Sequence, residues 1–425
     1  MPNSRLRIDR PLLSFPGMSA RRCAIEALNT WEDTSVYADE ILSELAGKFR
    51  LSSADRGLAQ DIFYGTIRNL FLVDEIIEKL RRGRIKPSTQ NVLRIGLYQI
   101  FCSGIANHAA VNETVNLARQ HEKGLVNAIL RNALRREGEF KSEIENWPLE
   151  DRFSHPGFLI ERWEKQFGEE NTRALLEWNN RPPSVFARIN ELTSDAEALN
   201  RVKSETQPCL LGDDYPDFFR VEGAPNVDWL NEGLIYIQDP STSHSCRLLA
   251  PQPGEAVLDA CAAPGGKTGY LAALMDNTGQ ITATDSSHQR LQQTRENLNR
   301  LGINNTDIIQ ADWYHEDQMP EGTQFDAILL DVPCSNSGVM RRRVDVRWRL
   351  QPADFKRQAE AQARLLKNAI RYLKPGGRLV YSTCSIDHIE NEAVIEASEL
   401  KVEEIQRCLP WKNGYDGAFA ALLRP

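Results

Sequence analysis

Long apolar runs are missing from this chain of 425 residues. None approaches the roughly 18 residues that span a membrane, and Met1 to Gly17 lacks the apolar core of a signal peptide, so a cytoplasmic protein is expected. Paired cysteines are missing as well. Cys23, Cys102, Cys209, Cys246, Cys261, Cys334, Cys384 and Cys408 are scattered, without a C-x-x-C and without clustered histidines. That argues against a disulfide framework and against a metal, and leaves reduced thiols free for chemistry. Positive charge is not in excess, since the formal net charge is −8. Any contact with nucleic-acid phosphates must therefore rest on local clusters. Three are present: Arg81, Arg82, Arg84 and Lys86; Arg131, Arg135 and Arg136; and Arg341, Arg342, Arg343, Arg347 and Arg349. Internal repeats and low-complexity tracts are absent too. What remains is ordinary for a globular protein, 41% hydrophobic and 26% charged, at a length that suits two to three domains.

Residues 1–18 carry Pro11, Pro16 and Gly17 without periodicity and read as a loose extension. From 19 to 140 the apolar spacing is helical. Ala38, Ile41, Leu42 and Leu45 form one stripe; Ser52 with Asp55 three residues on marks a helix start; Leu72, Val73, Ile76, Ile77 and Leu80 form the next stripe. Leu93, Gly96, Leu97, Ile100 and Phe101 follow, then Leu125, Ile129, Leu130 and Leu134. Such stripes bury one face of each helix, which predicts an all-α bundle. From 141 to 235 the pattern breaks at Arg181-Pro182-Pro183, and short β-like pieces appear at Val185 to Ile189, Phe218 to Val221 and Leu234 to Ile237. A small α+β linking domain is expected there.

The stretch from Val257 to Thr268 organises the remainder, 236–425. An apolar strand runs to Asp259, small residues follow, and Gly265-Gly266 opens a helix. In an open α/β sheet such a crossover brings backbone N–H groups and a helix start to a ligand at the strands' carboxyl ends. The loop is neither G-x-G-x-x-G nor G-x-x-x-x-G-K-[ST], so dinucleotide-dehydrogenase and P-loop readings lose their main support. Alone, it is as readily a structural turn. Four more apolar strands follow, Ile281 to Asp285, Ile308 to Asp312, Phe325 to Cys334 and Gly377 to Ser385, each ending in acids, hydroxyls or thiols. Polar groups thus gather on one rim of one sheet.

Asp259-Ala260-Cys261-Ala262-Ala263-Pro264-Gly265-Gly266-Lys267-Thr268, Asp331-Val332-Pro333-Cys334 and Ser382-Thr383-Cys384-Ser385, in that order, resemble the S-adenosylmethionine-dependent RNA cytosine-C5 methyltransferases. The helical half, above all Gly124 to Arg131, is similar to the antitermination-factor NusB fold, which narrows the resemblance to the bacterial enzymes that act on 16S ribosomal RNA. Tyr236 to Ser241 resembles the motif that opens the catalytic domain, with Pro240 and Thr242 departing from it.

The resemblance implies a NusB-like RNA-docking domain, a small linking domain and a Rossmann-like methyltransferase domain with a seven-stranded mixed sheet. It implies S-adenosylmethionine as cofactor, with Cys261, Ala262, Ala263, Pro264, Gly265, Gly266 and Lys267 along its methionine and ribose side. Asp285 is then expected at the ribose hydroxyls, Asp312 near the adenine amino group with Trp313 a rival for the adenine face, and Asp331 near the methyl donor and the N3 and N4 edge of the base. Asp259 could do no more than cap the helix that follows. Either Cys334 or Cys384 could attack C6 of cytosine. DNA enzymes use the Pro-Cys thiol and RNA enzymes the Thr-Cys thiol, so Cys384 is the expected nucleophile and Cys334 the group that helps release product. Val332, Arg343 and Val344 depart from the family pattern beside the substrate. The third arginine cluster, next to the catalytic-looking loop, is expected to touch RNA. The implied partner is 16S ribosomal RNA in an unassembled or partly assembled subunit, with no metal, no membrane and a monomeric enzyme. The rivals are the same chemistry on transfer RNA, and a non-catalytic ribosome-assembly factor, which would have no need of two intact thiols.

Overall fold

The computed structural model describes residues 19–425; the N-terminal extension expected at 1–18 lies outside them. The chain divides into two compact units at His155/Pro156. Among the described residues no helix is long and apolar enough to cross a membrane.

The first unit is helical throughout, as the stripes require. Ser52 caps the helix Ser53–Arg68: its Oγ accepts from the Asp55 backbone N–H at 3.1 Å and donates to the Asp55 carboxylate at 2.7 Å. Leu70–Leu80 buries Leu72, Val73, Ile76 and Ile77, and Pro87–Phe101 is enclosed nearly all round, with Leu93, Ile95 and Leu97 fully buried. The exposed loop 81–86 carries the first basic cluster. Within the second cluster Arg136 pairs with Glu139 at 2.6 Å and Arg131 donates to Asn127 at 2.9 Å, so both spend charge on their own helices.

The second unit opens with the helices Gly157–Phe167 and Glu169–Asn180. A three-stranded antiparallel sheet follows, with β1 (Val185–Ile189) between β2 (Phe218–Val221) and β3 (Ile235–Ile237). Ala187, Ile189, Val202, Phe219 and Trp229 pack its core.

The large sheet is seven-stranded and mixed, in the order β6-β5-β4-β7-β8-β10-β9. The strands are β4 (Ala256–Asp259), β5 (Gln280–Asp285), β6 (Thr306–Gln310), β7 (Phe325–Asp331), β8 (Leu373–Thr383), β9 (Lys401–Cys408) and β10 (Ala418–Arg424). β4 to β8 are parallel; β10 runs antiparallel between β8 and β9. Both faces are covered, which is why β4 and β7 read as unbroken apolar runs. Leu258, Ile328, Leu330 and Tyr381 face one core cluster, Val257, Ala327, Leu329 and Val380 the other. The strand order reverses at β4, so the carboxyl ends of β4, β5 and β7 open a crevice there.

Candidate active site

The crevice holds a cavity of about 390 Å³, within the range of small-ligand sites. Cys261, Ala262, Ala263, Pro264, Gly266 and Lys267 form one wall, and Asp331, Tyr236, Asp239, Thr242, Arg342 and Asp416 line the rest. Gly265 opens the helix Gly266–Leu274 at φ +98°, in the left-handed region where a side chain would be strained. The loop can therefore turn sharply from strand to helix.

Asp259 is fully buried beneath the loop. Its Oδ2 accepts from Thr268 Oγ1 at 2.7 Å, and burial pushes its carboxyl up to about 7. The strand-terminal acid thus ties down the helix start. Lys267 Nζ lies 2.5 Å from Asp331 Oδ2, and Ser382 Oγ donates to Asp331 Oδ1 at 2.5 Å. Burial disfavours the lysine's charge, but the Asp331 carboxylate outweighs it and holds the ammonium above its ordinary range. The helix after β4, the end of β7 and the end of β8 thus each deliver one member of a hydrogen-bonded triad.

Asp285 and Asp312 do not line this cavity. Asp285 is buried at the end of β5, accepting from the Ser287 N–H at 2.9 Å and from Arg290 at 3.1 Å; Arg290 also donates to the Ala263 carbonyl at 2.5 Å. Asp312, half-buried past the end of β6, accepts from the Tyr314 N–H at 3.1 Å. Trp313 cannot supply an adenine face. It is core, with its Nε1 donating to Thr284 Oγ1 at 2.8 Å and its ring edge-on to Tyr372. The exposed aromatic beside Asp312 is Tyr314.

The two thiols meet. Cys334 Sγ and Cys384 Sγ are 3.2 Å apart, and Cys384 also donates to Asn336 Oδ1 at 3.2 Å. Cys334 is buried and Cys384 half-buried. The hydrogen bond that Cys334 donates to Cys384, and burial after it, hold the Cys334 thiol well above its ordinary range. Glu390 fastens the two loops from below, accepting from the Ser335 N–H at 2.8 Å, Ser385 Oγ at 2.7 Å and Gln362 Nε2 at 3.1 Å. Gly338 and Gly417 pack backbone to backbone. The Gly417 N–H donates to the Gly338 carbonyl at 2.8 Å, the Gly338 N–H to the Cys384 carbonyl at 3.0 Å, and a Cβ on Gly338 would lie 2.6 Å from that carbonyl oxygen.

The third arginine cluster is not the open RNA-facing patch its sequence suggests. Arg341 and Arg347 are buried, Arg347 donating to Asn180 at 2.8 Å, and Arg341 stacks on Trp178 with its guanidinium 4.0 Å from the ring centroid. Arg342 is held by Asp239 at 2.7 Å and by Asp416. Arg343 is the one member fully exposed. Val332 and Val344 are core, so their bulk is spent on packing. Sequence reading missed Asn336 and the side chain of Asp416, and set Arg342 against RNA where the structure pairs it with two carboxylates; the polar residues before Gly338 and Gly417 were the available signal.

Residues 246–414 match the family described as 16S rRNA methyltransferase RsmB/F, 18–135 the NusB family, and 155–228 the ferredoxin-like domain of RsmF/B-like methyltransferases. The ribosomal RNA small subunit methyltransferase B of Proteus mirabilis is 34% identical over 95% of this chain and 98% of its own. This chain belongs to the RsmB/F family. The probable RsmB-type enzyme of Bacillus subtilis is also 34% identical, over 89% of this chain and 88% of its own. A methyltransferase homologue from Pyrococcus horikoshii, 30% identical, superposes on 65% of this chain and 97% of its own with a TM-score of 0.56. The expected RsmB/F architecture is thus present: a NusB domain, a ferredoxin-like linking domain, and a seven-stranded mixed methyltransferase sheet.

Proposed function

We propose that this chain transfers a methyl group from S-adenosylmethionine to C5 of a cytosine in 16S ribosomal RNA, with Cys384 as nucleophile. The observation that carries the reading is the 3.2 Å contact of two thiols at the ends of neighbouring strands, beside the Lys267–Asp331 pair. The cavity suits the cofactor: small residues 261–266 leave backbone near it, and Lys267 and Asp331 supply paired charge. Residues 261–267 would hold the methionine side, Asp285 the ribose and Asp312 the adenine. When bound, the cofactor supplies an electrophilic methyl group.

C5 of cytosine is a poor nucleophile until addition at C6 breaks the ring's aromaticity. The Cys384 sulfur adds to C6, forming an S–C bond as its thiol proton passes to N3, and C5 becomes enamine-like. Asp331, fixed by Lys267 and Ser382, faces the N3 side of the base and stabilises that adduct. Once C5 carries the methyl, its proton passes to solvent, the C5–C6 double bond re-forms, the S–C bond breaks and N3 gives up the proton it took. Cys334, kept protonated by Cys384 and burial, donates to the neighbouring sulfur and favours its release as thiolate. The helical part, 19–140, docks RNA, 141–235 links, and 236–425 catalyses; the three family matches fall within those parts apart from residue 18.

Both single cysteine variants on one denaturing gel with labelled RNA test the mechanism. Cys384→Ser abolishes methylation and forms no adduct. Cys334→Ala accumulates an S-adenosylmethionine-dependent enzyme–RNA adduct that vanishes in the double variant. An adduct in Cys384→Ala and none in Cys334→Ala reverses the assignment; none in either removes the covalent mechanism. Bisulfite sequencing of total RNA from cells with and without the gene identifies the RNA and the base.

A further inference from the structure

Asp416 is 4% exposed, and its two carboxylate oxygens have unequal fates. Oδ2 accepts from Arg342 Nε. Oδ1 is buried without a hydrogen-bond partner among the described residues. An acceptor left so is costly unless a donor arrives to fill it. Arg342 gives its Nε to Asp416 Oδ2 and its Nη2, at 2.7 Å, to Asp239 Oδ2, and none of its N–H groups reaches Oδ1. Asp239 in turn accepts from the Ser241 and Asp416 N–H groups at 3.0 and 3.2 Å, which fixes the backbone at Asp416.

The carboxylate's position says where its donor comes from. Asp416 lines the 390 Å³ cavity that also holds Asp331, and a second cavity of about 50 Å³ lined by Cys384, Ser382 and Lys267. It therefore stands between the methyl-donor side and the nucleophile. A pyrimidine whose C6 meets Cys384 must present its exocyclic 4-position nearby. In cytosine that position is an amino donor; in uracil it is a carbonyl acceptor. Asp331 already takes 2.5 Å contacts on both its oxygens, whereas Asp416 has one oxygen wholly unfilled.

We propose that Asp416 Oδ1 accepts a hydrogen bond from the 4-amino group of the target cytosine and is the residue by which the site rejects uracil. Arg342 is its positioning residue, holding Oδ2 so that Oδ1 faces the base. The inference rests on the cytosine-C5 reading and adds the basis of its selectivity. A site built to accept from an N–H discriminates strongly against the analogue lacking it, because its own polar group is then left unpaired.

The test uses the full chain and three RNAs identical but for the target base: cytosine, uracil, or 2-pyrimidinone, which lacks the 4-amino group. Asp416→Asn keeps the oxygen that pairs with Arg342 and turns an amide N–H₂ toward the base, so folding is preserved; an unchanged unfolding midpoint checks this. Wild-type protein is expected to bind the pyrimidinone RNA roughly tenfold or more weaker than the cytosine RNA, the scale of one charged hydrogen bond. Asp416→Asn should show little further loss on removal of the amino group and should lose its preference over the uracil RNA, with cofactor affinity unchanged. Wild-type discrimination retained in Asp416→Asn overturns the proposal. So does a variant weakened only toward cofactor, since the oxygen then serves the methionine ammonium group. If wild-type enzyme itself ignores the target base, the cytosine reading fails first, and that outcome is distinguishable.

Discussion

Each unit clamps an arginine between two carboxylates, and the two clamps end differently. In the helical unit Arg94 donates to Asp74 at 2.7 and 2.6 Å, to Asn91 Oδ1 at 2.8 Å and to Glu32. Asn91 fills the other Glu32 oxygen at 2.6 Å, so all four carboxylate oxygens have donors. In the catalytic unit Arg342 fills one oxygen each of Asp239 and Asp416, and Asp416 Oδ1 is left over beside a cavity. A saturated network holds helices together; the other leaves an acceptor unfilled on a residue that lines a cavity, which suits a donor from outside the chain.

The comparison is broken most directly by removing each arginine. Arg94→Leu strands two partly buried acids and is expected to cost about 3–5 kcal/mol of stability in urea unfolding, with methylation per folded molecule unchanged. Arg342→Lys offers a single ammonium where a planar fork spans two carboxylates, so kcat/KM should fall about a hundredfold while the unfolding midpoint moves far less. Equal behaviour of the two variants would erase the distinction.

An open contact sharpens it. Arg290 reaches Asp285 at the end of β5 but is itself half exposed. Asp285→Ala should weaken S-adenosylmethionine binding by about 1.5–3 kcal/mol in calorimetry, with the fold intact. Unchanged affinity would leave Asp285 a purely local cap. Deleting the helical unit, with the chain begun at Pro156 so that the helix Glu137–Ile144 is not cut, should leave cofactor binding intact, weaken RNA binding and flatten its salt dependence.

Asp259, the acid with no arginine, gives the effect that is set by pH. Its folded-state carboxyl is raised to about 7 by burial, so the folded state holds its proton more tightly than the unfolded chain. The stability this gives is present below the unfolded value near 4 and is lost as pH rises through about 7. Asp259→Asn keeps an acceptor for Thr268 and should remove that decline. Parent and variant should differ most above pH 7 and converge in acid, as followed by unfolding midpoint against pH.

Much of this was legible in residue order. Apolar runs ending in acids and thiols located the rim, because a parallel sheet covered on both faces leaves only strand ends for polar groups. The run from Arg341 to Arg349 was not legible. Charge in sequence says nothing of burial, and Asn180, Trp178, Asp239 and Asp416, the groups that enclose these arginines, lie roughly 70–170 residues away along the chain. Trp313 misled in the same way: an aromatic beside a rim acid is open or buried according to whether a neighbour such as Tyr372 covers it. The 3.2 Å meeting of the thiols was foreshadowed only by topology, since β7 and β8 are adjacent and parallel and so end side by side.

The position of β10 has a consequence for synthesis. It is made after β8 and β9 yet lies between them, antiparallel to β8. A ribosome that has not passed residue 424 has produced a sheet with β8 unpaired along one edge and β9 without its partner. Gly417 has at that stage no strand behind it to hold it against Gly338, and Asp416 has nothing to fix it beside Arg342. The nascent chain can therefore form the 261–267 wall of its crevice, between β4 and β5, well before its thiol loops are locked and before Asp416 completes the lining. Chains released early would also present the β8 edge to one another, a template for aggregation rather than a weak enzyme.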